Sequence, residues 1–422
     1  MWEGLARTPR QDRVLHGGAK VANVFLGLIA LPMWLFGQLL GERLRRMFTF
    51  FEKRGRRKLP VAPERERSMT ALMADLGEIP QHLVEHKLGE ARFGLRDISS
   101  FVLAQSREGA VLGYAYPAQF DDHVFEGADG ERIAATIALQ EAARPGLIVV
   151  HGVFTTSRFD YVRRIAVRAF YEWGFNVAVL DLRSFGLTEI TSSAPSTAGW
   201  KEGLDLIALG EYMKQLGSTS VGAIGISLGG SSVLNASDPE AAETALDGGI
   251  LAVSPPAEPQ AVWARLSEPV PRGHPRYPIH KAFKAALTSR VRSGRWPAEA
   301  EDMPKVMEAI SAPYYEVSAD EIWRNAAGVG HIGGAKVPLL VIHPEDDPII
   351  KVEEAEKLAV ASAGNENVRI WIVPHGNHGL LEASDPDWTH AVYREFFERW
   401  AVYAERGAVA DRANGKLVYS EE

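Results

Sequence analysis

A doubly wound, mostly parallel α/β sheet is the fold class predicted by the sequence, on three observations. First, short runs apolar on both faces recur along the chain: LIVV (147–150), NVAVLDL (176–182), VGAIGI (221–226), GILAVS (249–254), PLLVIH (338–343) and VRIWIV (368–373). Strands of this kind belong to a parallel sheet covered on both sides. Second, helical patterns fill the gaps. Third, turn and cap residues fall between the two: Asp129-Gly130 separates extended stretches near 122–127 and 131–139, and Gly174 and Gly217 close helices. Alternating β and α elements specify the doubly wound class.

The helices follow from spacing. Val162, Ile165, Ala166, Ala169, Phe170 and Trp173 keep the i, i+3, i+4 rule, Leu204, Ile207 and Ala208 open a second stripe, and Val392, Phe396 and Trp400 mark a C-terminal helix. About eighty residues lie between the 249–254 and 338–343 strands. There, Ile279, Phe283, Leu287 and Val291 recur every four residues and Met303, Met307 and Ile310 make a second stripe. This predicts a helical lid over 256–336, either packed on the body or offering a flexible apolar ligand an adaptable surface.

The expected organisation is a hydrophobic and basic helical arm at 1–58, a linker with one short helix at 59–98, the core at 99–255 and 337–405 interrupted by the lid, and a tail at 406–422. The arm stands apart in charge. Residues 1–70 hold fourteen Lys/Arg against six Asp/Glu, whereas the whole chain of 422 residues carries −8. Residues 21–40 contain no charge, apolar on all sides, and roughly match a ~30 Å hydrocarbon layer. Eight basic residues follow between Gly41 and Lys58. The expectation is membrane contact through 21–58, with the basic flank placing the α/β domain in the cytoplasm. A hairpin packed on protein is the alternative. No zinc-finger spacing, RNP motif or basic heptad helix is present, so nucleic acid is not expected as a partner. The chain has no cysteine, which excludes disulfides, thiolate zinc sites and a cysteine nucleophile.

The chemistry concentrates at three strand ends. In VGAIGISLGGSSVL a strand runs through Gly225-Ile226-Ser227-Leu228-Gly229 into a helix. A serine hydroxyl is a weak nucleophile unless exposed and paired with a base. A sharp strand-to-helix turn flanked by small residues supplies the exposure. Glu345, Asp346 and Asp347 follow one later strand, and His375 and His378 follow the next. Neighbours in extended chain point to opposite sides, so one acid faces the site. Asp347 is preferred over Asp346, and His378 over His375. The oxyanion donors are expected from the amide of Leu228 and from the loop His151-Gly152-Val153-Phe154, with Val153 first and Phe154 second. Phe154, Phe283 and Tyr314 are the candidate substrate-binding residues; Trp263, Tyr315 and Trp323 lie in or beside the same lid. No metal ligands are singled out.

At these residues the sequence resembles an α/β-hydrolase across roughly 100–405. Within that superfamily it is similar to the YheT-like branch in HGVFTTSRFDY with Tyr161, in SLGG, in DDP, and in Tyr314-Tyr315 followed by Ser318. It departs from that branch at Thr155, where glycine is usual, and at Asp181-Leu-Arg183-Ser-Phe-Gly186, which stands for Asn-x-Arg-Gly-x-Gly. The resemblance implies an esterase, lipase or related acyl hydrolase that needs no cofactor, acting on a small acyl ester or lipid. Medium-chain or membrane-derived lipid esters are expected. An acyltransferase on the same residues, a carbon–carbon hydrolase and a silent lipid- or partner-binding protein are the rivals.

Overall fold

The computed structural model describes residues 81–88, 115–272, 274, 277–379, 381 and 385–405. The arm at 1–58 and the tail at 406–422 lie outside the described residues, and so does the expectation of membrane contact. Among the described residues no helix is long and apolar enough to cross a membrane.

Among the described residues eight strands form one sheet: β1 (Asp121–Glu126), β2 (Arg132–Ala138), β3 (Arg144–Val150), β4 (Asn176–Leu180), β5 (Ser218–Ile226), β6 (Ile250–Val253), β7 (Leu339–Pro344) and β8 (Val368–Val373). Their order across the sheet is β1-β2-β4-β3-β5-β6-β7-β8. β1 and β2 form the expected hairpin, with Asp129 at φ 61° in its turn, and β2 runs antiparallel to β4. Every later pairing is parallel.

The side-chain alternation of the strands sorts the core into two layers. Leu147, Val149, Val177, Val179, Leu251 and Val253 face α1 (Asp160–Tyr171) and the C-terminal helix. Ile148, Val150, Ala178, Leu180, Val221 and Ala223 face α2 (Trp200–Gln215), α3 (Leu228–Asn235) and the lid. In the lid, α4 (Pro259–Ser267) and α5 (Tyr277–Arg292) precede α6 (Ala319–Ala326). The core closes with α7 (Val352–Ala361) and α8 (Pro386–Glu405).

Two of the expected segments gain detail. Met303 and Met307 of the lid are buried in the core cluster that also holds Val262, Trp263 and Trp323, so of the two readings of this stripe the burial supports packing. Their helix also widens into a π turn at Met307–Ser311 just ahead of Pro313, which has no N–H to continue an α ladder. Within the stretch expected as linker, residues 81–88 contain a short helix, Gln81–Val84, and Leu83 and Leu88 are buried. The Trp388 indole donates to Leu83 O at 2.8 Å, and His86 meets Asp385 at 2.8 Å.

Candidate active site

Ser227 sits between β5 and α3 at φ 58°, ψ −115°. A non-glycine residue there costs on the order of 1–3 kcal/mol and persists only when its surroundings impose it. Close approach imposes it here. A Cβ on Gly225 would lie 2.1 Å from Gly229 O, and one on Gly229 would lie 2.6 Å from Val150 O. The Ser227 N–H donates to Val253 O at 2.9 Å, and its carbonyl accepts the Ser231 N–H at 3.0 Å. Strand and helix thus press together and leave the serine at the crest.

The loop after β3 reaches the same crest. A Cβ on Gly152 would stand 3.3 Å from Ser227 Cβ. Its backbone is held on both sides. The Gly152 N–H donates to Tyr161 Oη at 2.9 Å, while Gly152 O accepts Thr155 Oγ1 and His151 Nδ1, each at 2.7 Å. His151 Nε2 accepts the Leu182 N–H at 3.1 Å. These partners fix one tautomer, with the proton on Nδ1, and full burial pushes the imidazole pKa down, keeping it neutral. The Gly152 amide is therefore engaged. Among the described residues the Val153 N–H meets no acceptor, and neither does the Leu228 N–H, the first of α3, which has no intrahelical partner.

The two aspartates after β7 point apart. Asp347 is enclosed; its Oδ2 accepts His378 Nδ1–H at 2.8 Å and its Oδ1 accepts the Ile349 and Ile350 N–H groups at 2.8 and 2.9 Å. Asp346 is exposed. Its Oδ1 accepts the Asn377 N–H at 2.7 Å and its Oδ2 lies 3.3 Å from His375 Nδ1. It thereby shapes the histidine loop, in which Asn377 (φ 50°) and Gly379 (φ 61°) are left-handed. A Cβ on Gly379 would come 2.6 Å from Ile226 Cγ2, so this loop lies against the residue before Ser227. Buried His343 on β7 donates from Nε2 to Ile350 O at 3.0 Å and closes the far end of the acid loop.

A narrow pocket opens at Ser227, with room for about one water molecule. Its walls include Val153, Leu228, Trp263, Leu266, Phe283 and Ile350. Of the residues picked from sequence, Ser227, Val153, Leu228 and Phe283 thus share one cavity, and Asp347 and His378 form one pair. Phe154 lies behind the wall, fully buried, with its ring 5.8 Å from that of Phe283. Tyr314 is placed elsewhere: it is exposed, and its hydroxyl donates to Glu131 at 2.7 Å. Its neighbour Tyr315 turns inward instead, donating to Pro195 O and accepting Arg183 Nη1–H at 2.8 Å. The Arg183 guanidinium also grips Asp205 with two bonds of 2.8 Å. Sequence reasoning met Arg183 only as part of a motif and missed its pairing with Asp205, and it missed Arg290 of the lid, because the partners are distant in the chain. Among the described residues no group of three or more His, Asp or Glu could hold a metal ion.

The strand order, the elbow and the acid–histidine pair define a class of protein, and the model of the alpha/beta hydrolase family matches residues 147–392. The chain belongs to that family. It is 22% identical over 226 residues to the monoacylglycerol lipase of Saccharomyces cerevisiae, covering 49% of this chain and 49% of the lipase, so it spans about half the length of that curated relative. Among solved structures it is similar to an esterase of Pyrococcus furiosus (20% identity, TM-score 0.48, covering 67% of this chain and 93% of the esterase). It is also similar to the esterase domain of a Rhodothermus marinus protein (18% identity, TM-score 0.42, 67% and 99% covered).

Proposed function

We propose that the protein is a serine hydrolase of carboxylic esters, with Ser227, His378 and Asp347 as its triad. The observation that carries this reading is the 2.8 Å bond from His378 Nδ1 to enclosed Asp347, on a loop packed against the residue before an elbow serine. Ser227 Oγ attacks the ester carbonyl while His378 Nε2 takes its proton. Asp347 holds the imidazole in the tautomer that leaves Nε2 free and stabilises the imidazolium that forms. The negative charge on the former carbonyl oxygen falls to the Val153 and Leu228 N–H groups. Collapse breaks the bond to the alcohol oxygen, which leaves with the proton from His378. Water, deprotonated by the same imidazole, then attacks the acyl-enzyme, and the acid departs as Ser227 regains its proton.

The apolar walls suit an acyl chain, in keeping with a yeast relative that is a monoacylglycerol lipase. The pocket as it stands admits a small acyl group; longer chains require α4 and α5 to part. Labelling with a fluorophosphonate probe tests the nucleophile. Wild type is expected to label, and Ser227→Ala is expected not to. Equal labelling of the two proteins would refute the assignment.

A further inference from the structure

Arg290 is in the last turn of lid helix α5, yet its side chain is only 2% exposed. Its Nη1 donates to Ser184 O at 2.9 Å and to Glu189 Oε1 at 3.0 Å. The guanidinium lies 4.7 Å from the Phe185 ring centre, 4.9 Å from Trp296 and 5.9 Å from Phe154. Glu189 accepts a second arginine, Arg295, at 3.1 Å. Burying a cation costs several kcal/mol before its partners repay it, and an apolar side chain would fill such a site at less cost. The position therefore calls for a charge-specific role.

That role is written in the backbone beneath it. Phe154 and Ser184 are both non-glycine residues with positive φ, 59° and 68°; Arg290 hydrogen-bonds the Ser184 carbonyl and lies within cation–π range of the Phe154 ring. Phe154 directly follows Val153. Tyr161 and His151 fix the chain on the N-terminal side of Val153 by gripping Gly152. On the C-terminal side the Phe154 ring is held among Phe185, Phe283, Trp296 and the Arg290 guanidinium.

We propose that Arg290 is a positioning residue, by which the docked lid helix α5 locks Phe154 and so aims the Val153 N–H at the oxyanion. The inference rests on the proposed reading of Ser227 as nucleophile. It makes transition-state stabilisation depend on α5 staying docked at this end, whatever the rest of the lid does to admit substrate.

The test compares kcat and KM on p-nitrophenyl butyrate, and inhibition by a trifluoromethyl ketone that forms a hemiketal with serine, for wild type, Arg290→Met, Arg290→Lys and Glu189→Gln. Loss of one oxyanion donor lowers kcat by about 100-fold or more. Arg290→Met is expected to lose kcat on that scale with KM changed by less than about threefold, and the ketone is expected to weaken by the same factor as kcat/KM. Arg290→Lys keeps the cation without the planar fork and is expected to fall between the two. A folded Arg290→Met with wild-type kcat, or with a lowered melting temperature as its only change, overturns the inference. If Arg290→Met does not fold, unchanged kcat in both Arg290→Lys and Glu189→Gln overturns it instead. Failure of wild type to label with fluorophosphonate overturns the underlying reading, and labelling separates that outcome from failure of the role of Arg290.

Discussion

Replacing Asp347 by Asn is the sharpest probe of the proposed triad, because Asp346 beside it serves as an internal control. The Asp347 carboxylate is enclosed and receives three hydrogen bonds, from His378, Ile349 and Ile350, all between 2.8 and 2.9 Å. An amide of the same shape keeps the two loop contacts through its oxygen. It then presents an N–H₂ to His378 Nδ1, and the imidazole answers by moving its proton to Nε2, the wrong atom for a base. In serine triads this tautomer error lowers kcat by about 10⁴-fold, or roughly 5.4 kcal/mol of barrier. Asp346→Asn removes charge from an exposed side chain whose contacts are to the Asn377 N–H and His375. It is expected to cost less than about tenfold, since exposed ion pairs contribute roughly 0–1 kcal/mol. Steady-state hydrolysis of p-nitrophenyl butyrate, with circular dichroism to establish folding, measures both. A folded Asp346→Asn that loses as much kcat as Asp347→Asn, or more, refutes the assignment of the acid.

Three further outcomes are expected. Gly225→Ala places a Cβ 2.1 Å from Gly229 O, where only backbone could yield, and should destabilise by more than about 4 kcal/mol. Its soluble yield and urea midpoint check this, and a wild-type midpoint would contradict the packing. Trp263→Ala opens the pocket wall and should raise the octanoate-to-butyrate ratio of kcat/KM by at least about tenfold, whereas an unchanged ratio would put the acyl chain elsewhere. His151 and His343 are buried and burial lowers both pKa values from 6.5. The unfolded chain protonates these rings below that pH and the folded chain does not. Stability is thus complete above pH 6.5 and falls below it by up to about 1.4 kcal/mol per pH unit per ring. Urea titrations between pH 7.5 and 5.5 should show this slope, halved in His343→Asn.

The sheet was legible because its strands are apolar on both faces, and β8 falls on the predicted residues, 368–373. The elbow was legible because Gly225 and Gly229 are demanded by contact distances that no other residue survives. Alternation of neighbours required only that Asp346 and Asp347 point apart, and their contacts do diverge; the preference for Asp347 rested on its place beside Pro348. Alternation also separates Tyr314 from Tyr315, but without a fixed frame for the lid it gave no sign of which one turns inward. The Arg183–Asp205 and Arg290–Glu189 pairs were hidden for a related reason: burial of a charge is decided by a partner, and nothing local in the chain marks it. The methionine stripe left packing and ligand contact both open, because apolar periodicity reports that a face is covered and not what covers it.

The β3–β5 register, in which Val150 stands beside Gly225, has a consequence for how activity is acquired. One of the proposed oxyanion amides follows β3, the other opens α3, and the acid and histidine of the proposed triad arrive only after β7 and β8. None of these four groups is close in sequence to all the others. Pairings between distant segments form slowly, after local helices. During refolding, helical signal should therefore return first, and esterase activity should appear as a late phase whose rate is that of sheet closure. Recovered turnover then serves as a clock for the last strand to dock.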